Sequence, residues 1–462
     1  LSWLVVATLT ALLTAVTTVQ ALSRYEALES GWSWDLAYYN QWFWAITHGD
    51  GVLSVRPIAA FGTEGPSVWK TNYLAPVRFL LLPVYALFPD PRTLLVVQNI
   101  VFWWVIPAAY TLARSESRSR LLAVSAVLLV PLLPLFWPLV WNDFRELQLA
   151  APFVLWAVQG VRGRSVAITG IGVAGMLACR QEFALMVASF AIIAPRDLER
   201  LGVTLRWRRG LILTGLGWLI FGFFGHLKYM VGSGAPNAFI EQFGGPNATI
   251  LETSATASEA LLFGLGGWAF LALLAPRTAL LALPWIWSLC SGRWALRMLD
   301  GASWHHVRYT MPMVVTVLAA GIVGYCRVGQ ALLDRRHGWI GVVAIWIMAA
   351  TLNISGMFNV ESRMAYVPRI FEDAERRELW KWIRQVGPDD AVLADYAVCG
   401  PLSSRKRLYS YVMDQNLPKN FPDLDPEFKW LFVRNGYAPL KVLLDQGFKI
   451  VAQGRFLTVA RR

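Results

Sequence analysis

TNYLAPVRFLLLPVYALFP, residues 71–89, is apolar over most of its length, and whether it crosses a membrane decides on which side every later loop falls. If it crosses, the loop RSESRSR at 114–120 faces away from the cytoplasm. If it is a juxtamembrane helix or hairpin, RSESRSR, VRGR, PRDLERLGVTLRWRR and RVGQALLDRRHG all share one face. The excess of arginine and lysine on cytoplasmic loops favours the second reading. Pro76 and Pro83 also suit a broken interfacial segment better than a clean span.

The surrounding chain is membrane-like throughout. Of its 462 residues, 56% are hydrophobic and 16% charged, with a mean hydropathy of +0.45, which is too apolar for a soluble globule of that length. The 23 tryptophans and 14 tyrosines fit belts at the two bilayer interfaces. A net charge of +12 does not indicate nucleic acid, because the arginines are scattered between apolar runs rather than gathered on one face. Cys179, Cys290, Cys326 and Cys399 form no CxxC pair, so neither a zinc site nor a disulfide framework is indicated.

Apolar runs occupy 2–22, 93–113, 121–141, 147–161, 165–179, 183–194, 210–228, 259–275, 278–291, 306–325 and 339–355. With 71–89 set aside, the expectation is a mainly α, polytopic transmembrane bundle of about eleven spans, several of them short because they tilt or break. The chain opens at Leu1 rather than methionine, so a few residues are expected upstream. Ala21 would suit a signal-peptide cleavage site, but 2–22 reads as a retained first span. Residues 1–356 then form the transmembrane domain, with a cytoplasmic N-terminus and a first outer loop at 23–92. Beyond 356 the composition shifts: FEDAERRELWKWIRQVG reads as an amphipathic helix, and AVLADYAV, KRLYSYV, KWLFVR, FKIVAQG and RFLTVAR as short strands. Residues 357–462 are expected to form a small extracytoplasmic α/β domain, in which no glycine-rich phosphate loop marks a nucleotide site.

This topology collects the conspicuous polar clusters on the outer face. They are Asp35, His48 and Asp50, then Asp143–Glu146, Arg180 with Glu182, Glu241, and His305–Tyr309. Charges near membrane depth are expensive and usually mark paths or sites. WSWDLAYYNQWFWAITHGDG, at 32–51, sets Asp35 among aromatic rings at helical spacing, as in an interfacial amphipathic helix. Ser33 or Asp35 would equally serve as that helix's N-cap. WNDFREL, at 141–147, reads either as a helix start with an internal ion pair or as an anion site in which Arg145 forks onto a phosphate. CRQEFAL interrupts an apolar stretch, so Arg180 and Glu182 need a partner or water. In SWHHVRYTMP, adjacent histidines do not share a helix face, which disfavours a two-histidine metal site. A basic, aromatic rim of His306, Arg308 and Tyr309 that holds a lipid phosphate fits better. The minimal sequons at Asn247 and Asn353 are patterns that chance supplies often.

WDLAYYNQWFWAITHGDG, the segment NYLAPVRFLLLPVYALFPDPRTLLVVQNIVFWWVIPAAYTLAR, WNDFRELQLAAPFVLWA, ACRQEFALMVA and VLADYAVCGPLSSRKRLY together resemble a bacterial and archaeal membrane-protein family known as domain of unknown function 2079. That family is similar to the GT-C glycosyltransferases, multi-span enzymes that take a sugar from a polyprenyl-phosphate carrier on the outer face. The resemblance implies a GT-C-like fold with juxtamembrane helices and a catalytic acid in the first outer loop, which is Asp35 here. Two departures stand out: the family tends to carry histidines where this chain has Asn72 and Arg145. If those histidines bind a metal or relay a proton, this chain lacks both.

Three readings follow. In a transferase, Asp35 acts as general base or metal ligand with Glu146 or Asp143 assisting, and Arg145, Arg180 and Arg308, with His306 and Tyr309, hold the carrier's phosphate. A divalent ion is compatible with the acids but is not supported by ligand spacing. In a non-catalytic subunit, the aromatic loop and the outer domain serve as a docking surface for protein partners in a membrane complex. A transporter fits least, because no internal repeat is visible and the acids cluster at one interface. The expected setting is the inner membrane of a bacterium, with lipid and a polyprenyl-phosphate sugar as partners.

Overall fold

The described part of each apolar run is mainly helical in a computed structural model that describes residues 1–29, 33–49, 56–57, 68, 73–141, 143–193, 203–231, 263–286, 309–364, 371–411, 424, 426–435 and 440–462. Five helices are long and apolar enough to cross a membrane: Ser2–Glu26, Pro91–Glu116, Arg206–Lys228, Met311–Leu333 and Gly338–Phe358. A sixth arises if Gly267–Leu273 and Pro276–Ile286, bent by 117°, count as one broken span. Pro276 explains the bend, since proline has no N–H to continue a helix and favours the first position of a new one. The remaining runs form shorter helices, so length and composition establish fewer spans than the expected total.

The helices are α1 Ser2–Glu26, α2 Ser33–Thr47, α3 Val77–Leu87, α4 Pro91–Trp103, α5 Val105–Glu116, α6 Arg120–Leu129, α7 Phe136–Trp141, α8 Ala151–Gly163, α9 Val166–Cys179, α10 Phe183–Ser189, α11 Val203–Ile220, α12 Gly267–Leu273, α13 Pro276–Ala279, α14 Met311–Leu333, α15 Gly338–Met364, α16 Asp373–Ile383 and α17 Leu440–Asp445. Local chemistry fixes several starts. Asp90 accepts from the Arg92 amide ahead of Pro91, and Ser119 and Ser165 accept from the Leu122 and Ile168 amides. The decisive run at 71–89 gives only α3, 11 residues long. Its rise of about 16 Å falls well short of a hydrocarbon core of about 30 Å.

Two ends of the bundle are distinguishable. At one, Glu116 pairs with Arg162 at 2.5 Å and with Arg327 at 3.6 Å, while the Arg118 amide donates to Gln330. Three of the arginine-rich loops therefore gather at the same end, and residues 195–202 of the fourth lie outside the described residues. Helix α1 runs from that end, where Trp3 meets Tyr110, to the other, where Glu26 meets Arg92 and accepts from the Trp380 indole. Small residues let α8 and α9 close on each other: a β-carbon at Gly172 would lie 2.4 Å from the Ala157 nitrogen, and one at Gly160 2.3 Å from that of Thr169.

All five predicted C-terminal strands form: β2 Ala391–Asp395, β3 Leu408–Tyr411, β4 Phe428–Arg434, β5 Lys449–Gln453 and β6 Leu457–Arg461. A sixth, β1 Arg56–Pro57, comes from the first loop, and the sheet order is β1-β3-β2-β4-β6-β5. Strands β1 to β4 pair in parallel, whereas β6 runs antiparallel to both β4 and β5. The sheet thus depends on a segment far outside 357–462.

Helix α2 departs from the sequence expectation of an interfacial helix. Leu36, Ala37, Tyr39, Asn40, Gln41, Trp42, Phe43 and Ala45 are all buried, so the helix is enclosed nearly all round. Asn40 donates to Ser403 at 2.8 Å and Ser404 at 3.0 Å and accepts from the Tyr85 hydroxyl at 2.6 Å. Gln41 donates to the Arg405 carbonyl at 2.5 Å. Tyr39, Trp42 and Phe43 join the core of the bundle, while Ala37, Asn40 and Gln41 meet the C-terminal segment around 396–405, which covers the face that a lone amphipathic helix would leave in water. The second sequon is likewise structural: Asn353 is fully buried and accepts from the Gly267 amide at 2.9 Å.

Candidate functional site

Asp35, Tyr39 and Trp42 fall at helical spacing on α2, so they share one side of it. Asp35 stands in the first turn of a helix that already begins at Ser33, and its carboxylate pairs with Arg145. Arg145 belongs to the 143–147 segment, which is not helical and has Asp143, Phe144, Arg145 and Glu146 all buried. The simpler sequence expectation is an ion pair within WNDFREL, whereas the ion pair of Arg145 seen here lies outside that stretch. Arg145 reaches back to Asp35, its Nη1 donates to the Tyr39 hydroxyl at 3.3 Å, and its amide donates to Gln98 at 2.7 Å.

Glu146 takes a different partner. Arg78 of α3 donates to its carboxylate at 2.7 Å, with the two side chains 2% and 0% exposed. The Arg78 guanidinium also lies 5.0 Å from the Tyr39 ring centre and 5.6 Å from that of Trp42, within cation–π reach. Helix α9 ends at Cys179 because Arg180 turns to extended backbone. Its guanidinium forks onto Glu182 and stacks 3.5 Å over the Tyr73 ring. Glu146 lies within the electrostatic reach of both Arg78 and Arg180, and Asp143 within that of Arg24. Such desolvated charges persist only with partners, and each has one.

The cluster borders a cavity of about 370 Å³. Its wall is mostly apolar (Trp42, Val68, Ala75, Pro76, Phe79 and Phe221), interrupted by Tyr73, Arg78 and His226. An apolar chamber with a few convergent polar groups is the usual form of a small-molecule site.

The tertiary structure therefore brings together Asp35, Asp143, Arg145, Glu146 and Arg180. Tyr309 is nearly buried just before α14, while His306 and Arg308, together with Asn72 and Asp50, lie outside the described residues. Among the described residues, no group of three His, Cys, Asp or Glu side chains is placed to hold a metal ion. Cys179, Cys326 and Cys399 are buried free thiols. Cys290 lies outside the described residues. Sequence reading passed over Arg78, Gln181 and His226. The signal for Arg78 and His226 was a charged or titratable residue inside an otherwise apolar run, the same criterion that singled out Arg180.

The chain belongs to the family described as predicted membrane protein (DUF2079), which residues 24–449 match. No curated protein matches it. The fold is similar to that in the crystal structure of ArnT from Cupriavidus metallidurans bound to undecaprenyl phosphate, with a TM-score of 0.53 over 96% of this chain and 97% of that chain. The sequences are 12% identical, so the likeness is one of fold alone.

Proposed function

We propose that the chain transfers a sugar from a polyprenyl-phosphate carrier on the outer face of a bacterial inner membrane. The observation that carries this reading is the apolar cavity, whose polar wall backs onto buried carboxylates and arginines. Apolar walls suit an isoprenoid chain, and the arginines suit its phosphate. The gathering of arginine-rich loops at the end opposite the C-terminal sheet supports a cytoplasmic N-terminus and an outer C-terminal domain, with the shorter helices completing about eleven spans.

Asp35 serves as the general base. The acceptor's hydroxyl oxygen attacks the anomeric carbon, Asp35 takes the proton, and the bond from that carbon to the phosphate oxygen breaks with its electron pair leaving on the phosphate. Arg145 holds Asp35 ionised and oriented, while Asp143 and Glu146 set the field around it. Arg180 stabilises the departing phosphate from behind Tyr73, with His226 on the cavity wall as a further donor; from the sequence we assign His306, Arg308 and Tyr309 to the same phosphate. The test is release of sugar-free carrier from labelled undecaprenyl-phosphate sugar in proteoliposomes. Asp35→Asn should lower it at least a hundredfold without lowering the yield of folded protein; equal rates refute the assignment.

A second reading, a non-catalytic subunit of a membrane complex, is favoured by one feature: Asp35, Glu146 and Glu182 are each neutralised by an arginine within the chain. It predicts a stoichiometric partner in native purification and indifference to Asp35→Asn.

A further inference from the structure

Three buried polar atoms, on cavity-lining Arg78 and on Glu146 and Gln181 behind the cavity wall, have no hydrogen-bond partner among the described residues: Nε of Arg78, Oε2 of Glu146 and Nε2 of Gln181. All three side chains are buried, at 2%, 0% and 0% exposure. Leaving such a group unsatisfied costs about 1–3 kcal/mol, and more when it is charged, so native interiors nearly always supply a partner from protein, water or ligand.

All three connect to the cavity wall through its lining residues. Arg78 and Glu146 are hydrogen-bonded to each other, and Gln181 uses its carbonyl oxygen to accept from the Leu74 amide at 2.6 Å, one turn before Arg78. Leu74 and Arg78 both line the cavity. So do Phe221 and Gly225, and between them Gly222 lies so near Gln181 that a β-carbon there would come within 2.8 Å of the Gln181 β-carbon.

Their chemistry discriminates between the two halves of a glycosylated carrier. Arg78 and Gln181 offer donors, Glu146 offers an acceptor, and the Arg78–Glu146 pair sums to no net charge. A phosphate brings acceptors and negative charge, which the Glu146 carboxylate repels. A sugar hydroxyl both donates and accepts, so it satisfies a carboxylate oxygen and an N–H together. We infer that Arg78, Glu146 and Gln181 form a hydroxyl-binding subsite that takes the sugar of the carrier and leaves the phosphate to Arg180. This rests on the transferase reading and names the part of the substrate that the site selects.

The test uses the full chain in nanodiscs, with native mass spectrometry reading the binding of undecaprenyl phosphate and of glucosyl- and mannosyl-phosphoundecaprenol. The wild type should bind at least one glycosylated carrier tenfold or more tightly than the sugar-free one. Gln181→Met, close in volume, should erase that preference while changing sugar-free affinity less than twofold. If it does not elute as folded protein, Gln181→Glu, which keeps the acceptor for the Leu74 amide but removes the donor, takes its place with the same expectation. No preference in the wild type, or equal weakening of both lipids in the variant, overturns the subsite while leaving carrier binding in place. Failure of every carrier to bind the wild type removes the transferase reading and the subsite with it.

Discussion

Removing Glu146 should unmask the cost of burying Arg78. The pair is 2.7 Å apart with side chains 2% and 0% exposed, so neither charge is hydrated. At an effective dielectric of about 20 and a charge separation of about 4 Å, the attraction is about 4 kcal/mol, comparable to the desolvation it offsets. Glu146→Leu leaves a guanidinium with only the faces of Tyr39 and Trp42 and should destabilise the protein by about 3–5 kcal/mol. Arg78→Met should cost a similar amount by stranding the carboxylate. The double variant should recover most of either loss, because two apolar side chains of similar volume fill the space without desolvation, giving a coupling of about 4 kcal/mol or more. Reversible unfolding by SDS titration in mixed micelles, run on all four proteins, measures the cycle. A single-variant loss below about 1 kcal/mol together with coupling near zero would refute the reasoning, since it would mean that water reaches the pair.

Asn40→Ala should cost about 2–4 kcal/mol and loosen the 403–404 loop from α2, because it removes the hydrogen bonds to Ser403 and Ser404 and the acceptor of the Tyr85 hydroxyl; limited proteolysis should then cut between α2 and the C-terminal segment faster than in wild type. Gly172→Val should lower the melting temperature, at a cost of about 2 kcal/mol or more, since backbone atoms of Ala157 occupy the space its β-carbon needs; thermal unfolding in detergent checks this. Burial alone would push the Asp390 carboxyl up, but hydrogen bonds from Lys429, the Gly387 amide and the Trp430 indole prevail and hold it below its usual range. The stability it adds is complete above the ordinary carboxylate range and lost as pH falls through the depressed value, so near-UV circular dichroism between pH 7 and pH 3 should show an acid-side loss that Asp390→Asn reduces.

The sequence by itself determined the membrane class, the helical runs and the C-terminal strands. Each of these rests on a local pattern: uninterrupted apolar residues for helices and alternation between turn residues for strands. Pro76 and Pro83, with the placement of the arginine-rich loops farther along the chain, also made 71–89 legible as a broken segment. Pairing and burial were not legible, because they depend on residues distant in the chain. Arg145 and Glu146 are neighbours in sequence, yet they turn to Asp35 on α2 and Arg78 on α3, and no spacing rule connects those positions. Likewise β1 is a strand of two residues, too short to carry a period, and exists only because β3 offers it an edge. The rings of α2 promise an apolar surface in any context. Only the bundle packed around Tyr39, Trp42 and Phe43, with the 403–405 loop closing over Asn40 and Gln41, decides that they face protein instead of lipid, since burial belongs to what covers a surface and not to the surface alone.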